Sequence, residues 1–187
     1  MIYQFLSDAD IHALIREEFK NGMTTPGSSG ESPETFIRKA EAAAIRQIKN
    51  KLRDRYNVNS IFAIPKPWSA ETPYVAQDRC SHADRFYITS QNTVAQEPTT
   101  QNAPWIEDDP RDAYLVTICT DLMLYHLHAR HNPRMISEFR ILRKDDAIAW
   151  LDQVMAGHEN PDLPLLKESA PEDLPYGFDS KPRSHYY

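Results

Sequence analysis

The stretch Asp109-Pro110-Arg111-Asp112-Ala113-Tyr114-Leu115-Val116-Thr117-Ile118-Cys119-Thr120-Asp121-Leu122-Met123-Leu124-Tyr125-His126-Leu127-His128-Ala129-Arg130-His131 decides how the chain folds. Its opening, a carboxylate followed by proline, is a helix-start signature: the carboxylate accepts free amide hydrogens of the first turn, and proline has none to leave unsatisfied. The reading therefore begins a helix at Asp109 and runs it to about His131. Apolar residues occupy most of its circumference, which predicts burial on several sides. Asp121, His126 and His128 interrupt the run, which falls short of the roughly 20 apolar residues that a bilayer span needs. This is the central helix of a bundle, or one buried between subunits, and no membrane is implied.

Working outward toward the C-terminus, Asn132-Pro133 breaks that helix and another follows, strongest over residues 145–156. Its Ile148, Leu151, Val154 and Met155 are expected to face inward, with Gly157 as the stop. Beyond Glu159 the prolines at 161, 164, 171, 175 and 182 preclude a further helix, so the end is expected to be an extended tail. Its apolar and aromatic side chains, Leu165, Leu166, Leu174, Tyr176, Phe178, Tyr186 and Tyr187, exceed what a solvated linker carries and suit docking on a partner.

Toward the N-terminus, Ser7-Asp8-Ala9-Asp10 caps a first helix with Ile11, Leu14, Ile15 and Phe19 at helical spacing, ending near Asn21-Gly22. A flexible loop, Pro26 to Gly30, follows. Ser32-Pro33-Glu34 then opens a second helix with apolar Ile37, Ala40, Ala44, Ile48, Leu52 and Tyr56. From about Ser60 to Asp108 the helical period gives way to prolines, aromatics and the alternating Arg85-Phe86-Tyr87-Ile88-Thr89, which predicts a small β-rich insertion. The chain divides into residues 1–58 and 109–164, carrying the helices, an insertion at 59–108 and a tail at 165–187. The expected class is mainly α.

The composition, 41% apolar and 26% charged residues with a net charge of -6, is that of an ordinary folded domain and names no partner. Cys80 and Cys119 make neither a disulfide framework nor a zinc spacing, and the first residues lack the basic and apolar regions of a signal peptide. A reducing compartment is expected.

In order along the chain, Asp109-Pro110-Arg111-Asp112, Leu122 to Arg130, Asn132-Pro133-Arg134, Asp146-Ala147-Ile148-Ala149-Trp150-Leu151, Gly157 and Asn160-Pro161-Asp162-Leu163-Pro164 resemble the Mu-like head-completion proteins of tailed phages and prophages, including those of Bacteroidetes. Phe5-Leu6-Ser7-Asp8 and an Ala-rich helix ending in Asp54-Arg55-Tyr56 fit the same pattern. The resemblance implies a small helical bundle of the phage connector class, synthesised in the host cytoplasm and built into the virion neck. It also implies a homo-oligomeric ring that contacts the portal protein and the tail or its terminator and stopper proteins. No catalytic residue, metal or cofactor comes with it. Residues 60–108 and those after 165 depart from the compact members. Within the insertion, Tyr74-Val75-Ala76-Gln77-Asp78, Phe86-Tyr87, Pro98 and Trp105 are similar to the aromatic spacing of small chitin-binding-type modules. Trp68, Tyr74, Phe86, Tyr87 and Trp105 are then either a glycan- or protein-binding surface or the module's own core.

Other chemistry is weaker. Only His128 and His131 share a face among the three histidines of the long helix, and two ligands make no zinc site without help; Cys80-Ser81-His82 has no reason to approach. The pairs Asp108-Asp109 and Asp145-Asp146 are read as helix-start carboxylates rather than as an acid and a base. Gly22 and Gly27 have phosphate-loop spacing, yet Ser28-Ser29 stand where lysine is required. One charge asymmetry remains: Arg38, Lys39, Arg46, Lys49, Lys51, Arg53 and Arg55 face only Glu41 and Asp54 over residues 38–55. Such a helix is usually solvated; in a ring it could meet an acidic portal rim or packaged DNA, through phosphates and with steep salt dependence.

Overall fold

A computed structural model describes residues 5–12, 32–131 and 136–166. Five helices and one three-stranded antiparallel sheet account for its regular structure among those residues: α1 (Asp8–His12), α2 (Pro33–Leu52), α3 (Val58–Ile61), β1 (Arg79–His82), β2 (Arg85–Thr89), β3 (Trp105–Glu107), α4 (Ala113–His131) and α5 (Glu138–Ala156). The fold mixes helix and sheet, with a bundle of α2, α4 and α5 as its larger part.

Local chemistry explains each helix start. The Ser7 hydroxyl accepts from the Asp10 amide while the Asp10 carboxylate accepts from the Ser7 amide, a reciprocal cap that puts Ile11 in the core. Leu14, Ile15, Phe19 and the Pro26–Gly30 loop lie outside the described residues. Ser32 caps α2 through the Thr35 amide with Pro33 in the first turn, and all six predicted apolar positions, Ile37 through Tyr56, are buried. Ser137 caps α5. Gly157 closes that helix at a φ of 82°. This is the left-handed conformation that a Cβ disfavours.

Three expectations are corrected. The cap of α4 is Asp112, whose carboxylate accepts from the Leu115 amide at 2.7 Å; Asp109 instead holds Arg111, so the helix starts at Ala113. Asp145 and Asp146 sit in the middle of α5, because that helix starts seven residues earlier than its apolar period suggests. Met155 is 44% exposed. It stands about 100° round the helix from its neighbour Val154. Ala147, Leu151 and Val154 make the inner face. The single turn α3, capped by Asn57, is too short to show a period in the sequence.

The core runs through Phe5, Leu6, Ile11, Ile37, Ile48, Leu52, Leu115, Leu122, Met123 and Leu151, with Ile118 and the half-buried Ile148 beside them. α4 is its axis. The insertion has a second core of Tyr74, Cys80, Tyr87 and Trp105. Ala83 and Asp84 join β1 to β2, both with positive φ. Such a two-residue turn has the twist that suits a hairpin. Tyr74 and Trp105 pack edge to face at 5.0 Å, and the Trp105 indole donates to the Gln96 carbonyl. Alternation along β2 puts Tyr87 on this core and Phe86 on the opposite side, toward the bundle.

Candidate functional site

Among the described residues no single cleft gathers chemistry; what the fold positions is a buried hub and two outward helix faces. The hub is Arg111. Its side chain is 5% exposed and donates from Nη1 to the Phe5 carbonyl and to Asp10, both at 2.7 Å, and from Nη2 to Asp109 at 2.6 Å. Its guanidinium also lies over the rings of Phe5 and Phe86. Burial alone would lower its pKa, but the hydrogen bonds and charges of Asp109 and Asp10 outweigh that and raise it. Burial likewise would raise Asp109, and the Arg111 hydrogen bonds bring it below the usual carboxylate value. One side chain thereby ties the first residues, the insertion and the start of α4 together.

On α2 the basic residues divide. At 3.6 residues per turn Arg38, Lys39, Arg46, Lys49 and Arg53 fall within an arc of about 100° that spans about 23 Å of helix. No Asp or Glu shares that arc. Arg38, Lys39, Arg46 and Arg53 are exposed, Lys49 is half-buried with its amine 5.3 Å from the centre of the Phe62 ring, and Arg53 also approaches Asp54 at 3.6 Å. Lys51 and Arg55 point elsewhere: Lys51 pairs with Asp152, and Arg55 donates to the Val154 carbonyl and to Asn160, so both join α2 to α5.

The second face belongs to α5 and was missed in the sequence. Asp121 of α4, buried, holds Arg143 at 2.7 Å and Arg140 at 3.3 Å, which turns those two arginines inward. Phe139, Ile141 and Leu142 are thereby left outward at 65%, 40% and 58% exposure. Glu138, Asp145 and Asp152 recur every seven residues beside Leu142, Ala149 and Ala156, a spacing that could have revealed the stripe. Glu138, Asp145 and Asp146 are exposed on it; Asp145 also meets Lys144 at 2.5 Å.

Of the insertion aromatics, Tyr74, Phe86, Tyr87 and Trp105 are buried and Trp68 is half-buried. Trp68 borders a notch of about 300 Å³ with Ser81, His82 and Asp84, where His82 meets Glu97 at 2.8 Å. A larger cleft of about 530 Å³ follows the seam between α3, the insertion and Asp162–Pro164, but its arginines are engaged, Arg79 with Asp108 and Arg111 in the hub.

Of the long helix's histidines, the described His126 and His128 have separate partners. His126 lies 3.3 Å from the Gln47 amide oxygen and burial lowers its pKa; His128 donates to the Leu124 carbonyl; the His131 side chain is outside the described residues. Burial pushes the Cys80 thiol up to about 11 and holds Cys119 well above its ordinary value. Among the described residues no group of three or more His, Cys, Asp or Glu side chains is placed to hold a metal ion, and no helix is long and apolar enough to cross a membrane.

The root of the tail is ordered against the bundle. Leu163 is buried, the Pro164 carbonyl accepts from Asn57, Leu165 bridges Tyr56, and the Leu166 amide donates to Arg55 at 3.0 Å. The side chains of Leu165 and Leu166 stay exposed; Leu174, Tyr176, Phe178, Tyr186 and Tyr187 lie outside the described residues. No protein-family model, curated protein or solved structure matches the chain.

Proposed function

We propose that this chain is a structural virion protein, a head-completion adaptor of the connector class that forms a ring between portal and tail in a tailed phage or prophage, and that it acts by assembly without catalysis. The observation that carries the reading is the pair of outward helix faces, one basic on α2 and one apolar and acidic on α5, held on one body by the Lys51–Asp152 pair, the Arg55–Val154 hydrogen bond and the Asp121 ion pairs. Exposed side chains such as Phe139 and Leu142 on a well-capped helix suit burial against another protein surface. The order of residues that resembles Mu-like head-completion proteins supplies the setting. Locating the chain in purified particles of the phage that encodes it tests the reading: density at the neck is expected, and absence from particles, or a position elsewhere in them, overturns it.

A second reading, recognition of a glycan or protein by the insertion, is supported at one place. The Trp68 indole N–H is buried without a hydrogen-bond acceptor among the described residues and stands beside the His82 notch. An aromatic with a polar edge suits a sugar. Retention of the full chain on chitin or glycan resin, lost in Trp68→Ala, would establish it.

A further inference from the structure

The two outward faces are complementary to each other. We infer that the α2 basic arc of one copy of this chain docks on the α5 outer face of the next, a head-to-tail contact between unlike surfaces. This inference rests on the ring reading for its biological setting and names the surfaces that close the ring.

Charge is the first argument. The arc formed by Arg38, Lys39, Arg46, Lys49 and Arg53 contains no carboxylate. The outer side of α5 carries Glu138 and Asp146 as its exposed acids, with Asp145 paired to Lys144, while Asp121 draws Arg140 inward and holds the half-buried Arg143 by its guanidinium. Opposed potentials of this kind steer encounter and set register, while like faces repel. A two-fold contact of α2 with α2, or of α5 with α5, would place like charges together, so a contact between unlike faces is favoured.

Apolar area is the second argument, and it separates a protein partner from DNA. The basic arc taken alone suits phosphates as well as carboxylates. Phe139 and Leu142, between the acidic positions of α5, bring exposed apolar surface that suits a protein face and that a phosphate backbone does not cover. On the α2 side, exposed Ala42 and the aliphatic stems of Arg38 and Arg46 provide it. Lys51 with Asp152 already makes one such basic-to-acidic contact within the chain, on the side where α2 meets α5.

Two full-length variants test the docking. One reverses α2 (Arg38→Glu with Arg46→Glu) and the other reverses α5 (Glu138→Lys with Asp146→Lys); all four positions are exposed, and circular dichroism checks that both fold. Sedimentation velocity across a concentration series should show the unaltered chain self-associating and each variant roughly ten-fold or more weaker, since each now sets like charges together. An equimolar mixture of the two should recover association, because each reversed face meets an opposite one on the other variant. A monomeric unaltered chain, variants that associate like it, or a mixture that does not recover overturns the inference. Binding of a short DNA duplex that is lost on α2 reversal while self-association is unchanged overturns it in favour of a DNA-facing arc. A chain that associates through other surfaces yet sits in the neck of particles leaves the adaptor reading standing and removes only this pairing.

Discussion

The guanidinium of Arg111 lies 4.8 Å from the centroid of the Phe86 ring, and this contact joins the β insertion to the helical bundle. Phe86 is buried on the face of β2 opposite Tyr87, so the insertion is packed by its own core on one side and by Arg111 on the other. The same guanidinium reaches the Phe5 carbonyl, 106 positions away in sequence.

Removal of that side chain should be costly. Arg111→Ala leaves Asp10 and Asp109 without their cation and the Phe5 carbonyl without its donor. A loss on the order of 3 to 5 kcal/mol is expected. Arg111→Lys should recover little, since one ammonium cannot span the fork that the guanidinium fills. Urea unfolding followed by circular dichroism reads both; a loss within experimental error for Arg111→Ala would show the hub to be dispensable.

Leu122 and Leu151 are fully buried on α4 and α5. Leu122→Ala and Leu151→Ala should each lower stability by about 2 to 5 kcal/mol, the spread reflecting how far the surroundings relax into the cavity. Unchanged melting in both variants would contradict the packing of α4 against α5.

Acid should destabilise the fold through His126. Burial lowers its folded pKa below the ordinary 6.5, so the unfolded chain binds the proton more readily. Its contribution is complete above about pH 6.5 and is lost as pH falls toward and through the lowered folded value. His126→Gln, which retains a polar group near Gln47, should melt with a shallower dependence on pH between neutrality and mild acid. Parallel profiles for the two proteins would remove His126 as the cause.

Truncation after Leu166 keeps every described contact of the tail's root. Leu163 to Leu166 belong to the described body through Asn57, Tyr56 and Arg55, so truncation after Leu166 should preserve the helical circular dichroism signal and the melting temperature. On the adaptor reading, the same truncation should block neck assembly or tail attachment. Infectious particles of normal yield from the truncated gene would show the tail to be unnecessary for assembly.

The sequence by itself determined the elements whose signals are local. Ser32-Pro33 and the spacing Ile37, Ala40, Ala44, Ile48, Leu52 specify α2 and its buried face, since cap and period act within a few residues. Gly157 marks the end of α5 for the same reason. Tertiary structure decided the rest. Asp112 rather than Asp109 caps α4 because Arg111 takes Asp109, and Arg111 is held there by Phe5, Asp10 and Phe86, none of which is near it in sequence. The first half of α5 reads in reverse of its hydropathy, with Arg140 buried and Phe139 and Leu142 exposed, because buried Asp121 on α4 fixes which way that helix turns. Whether an aromatic of the insertion is core or surface follows from the pairing register of β1, β2 and β3, and composition does not encode register.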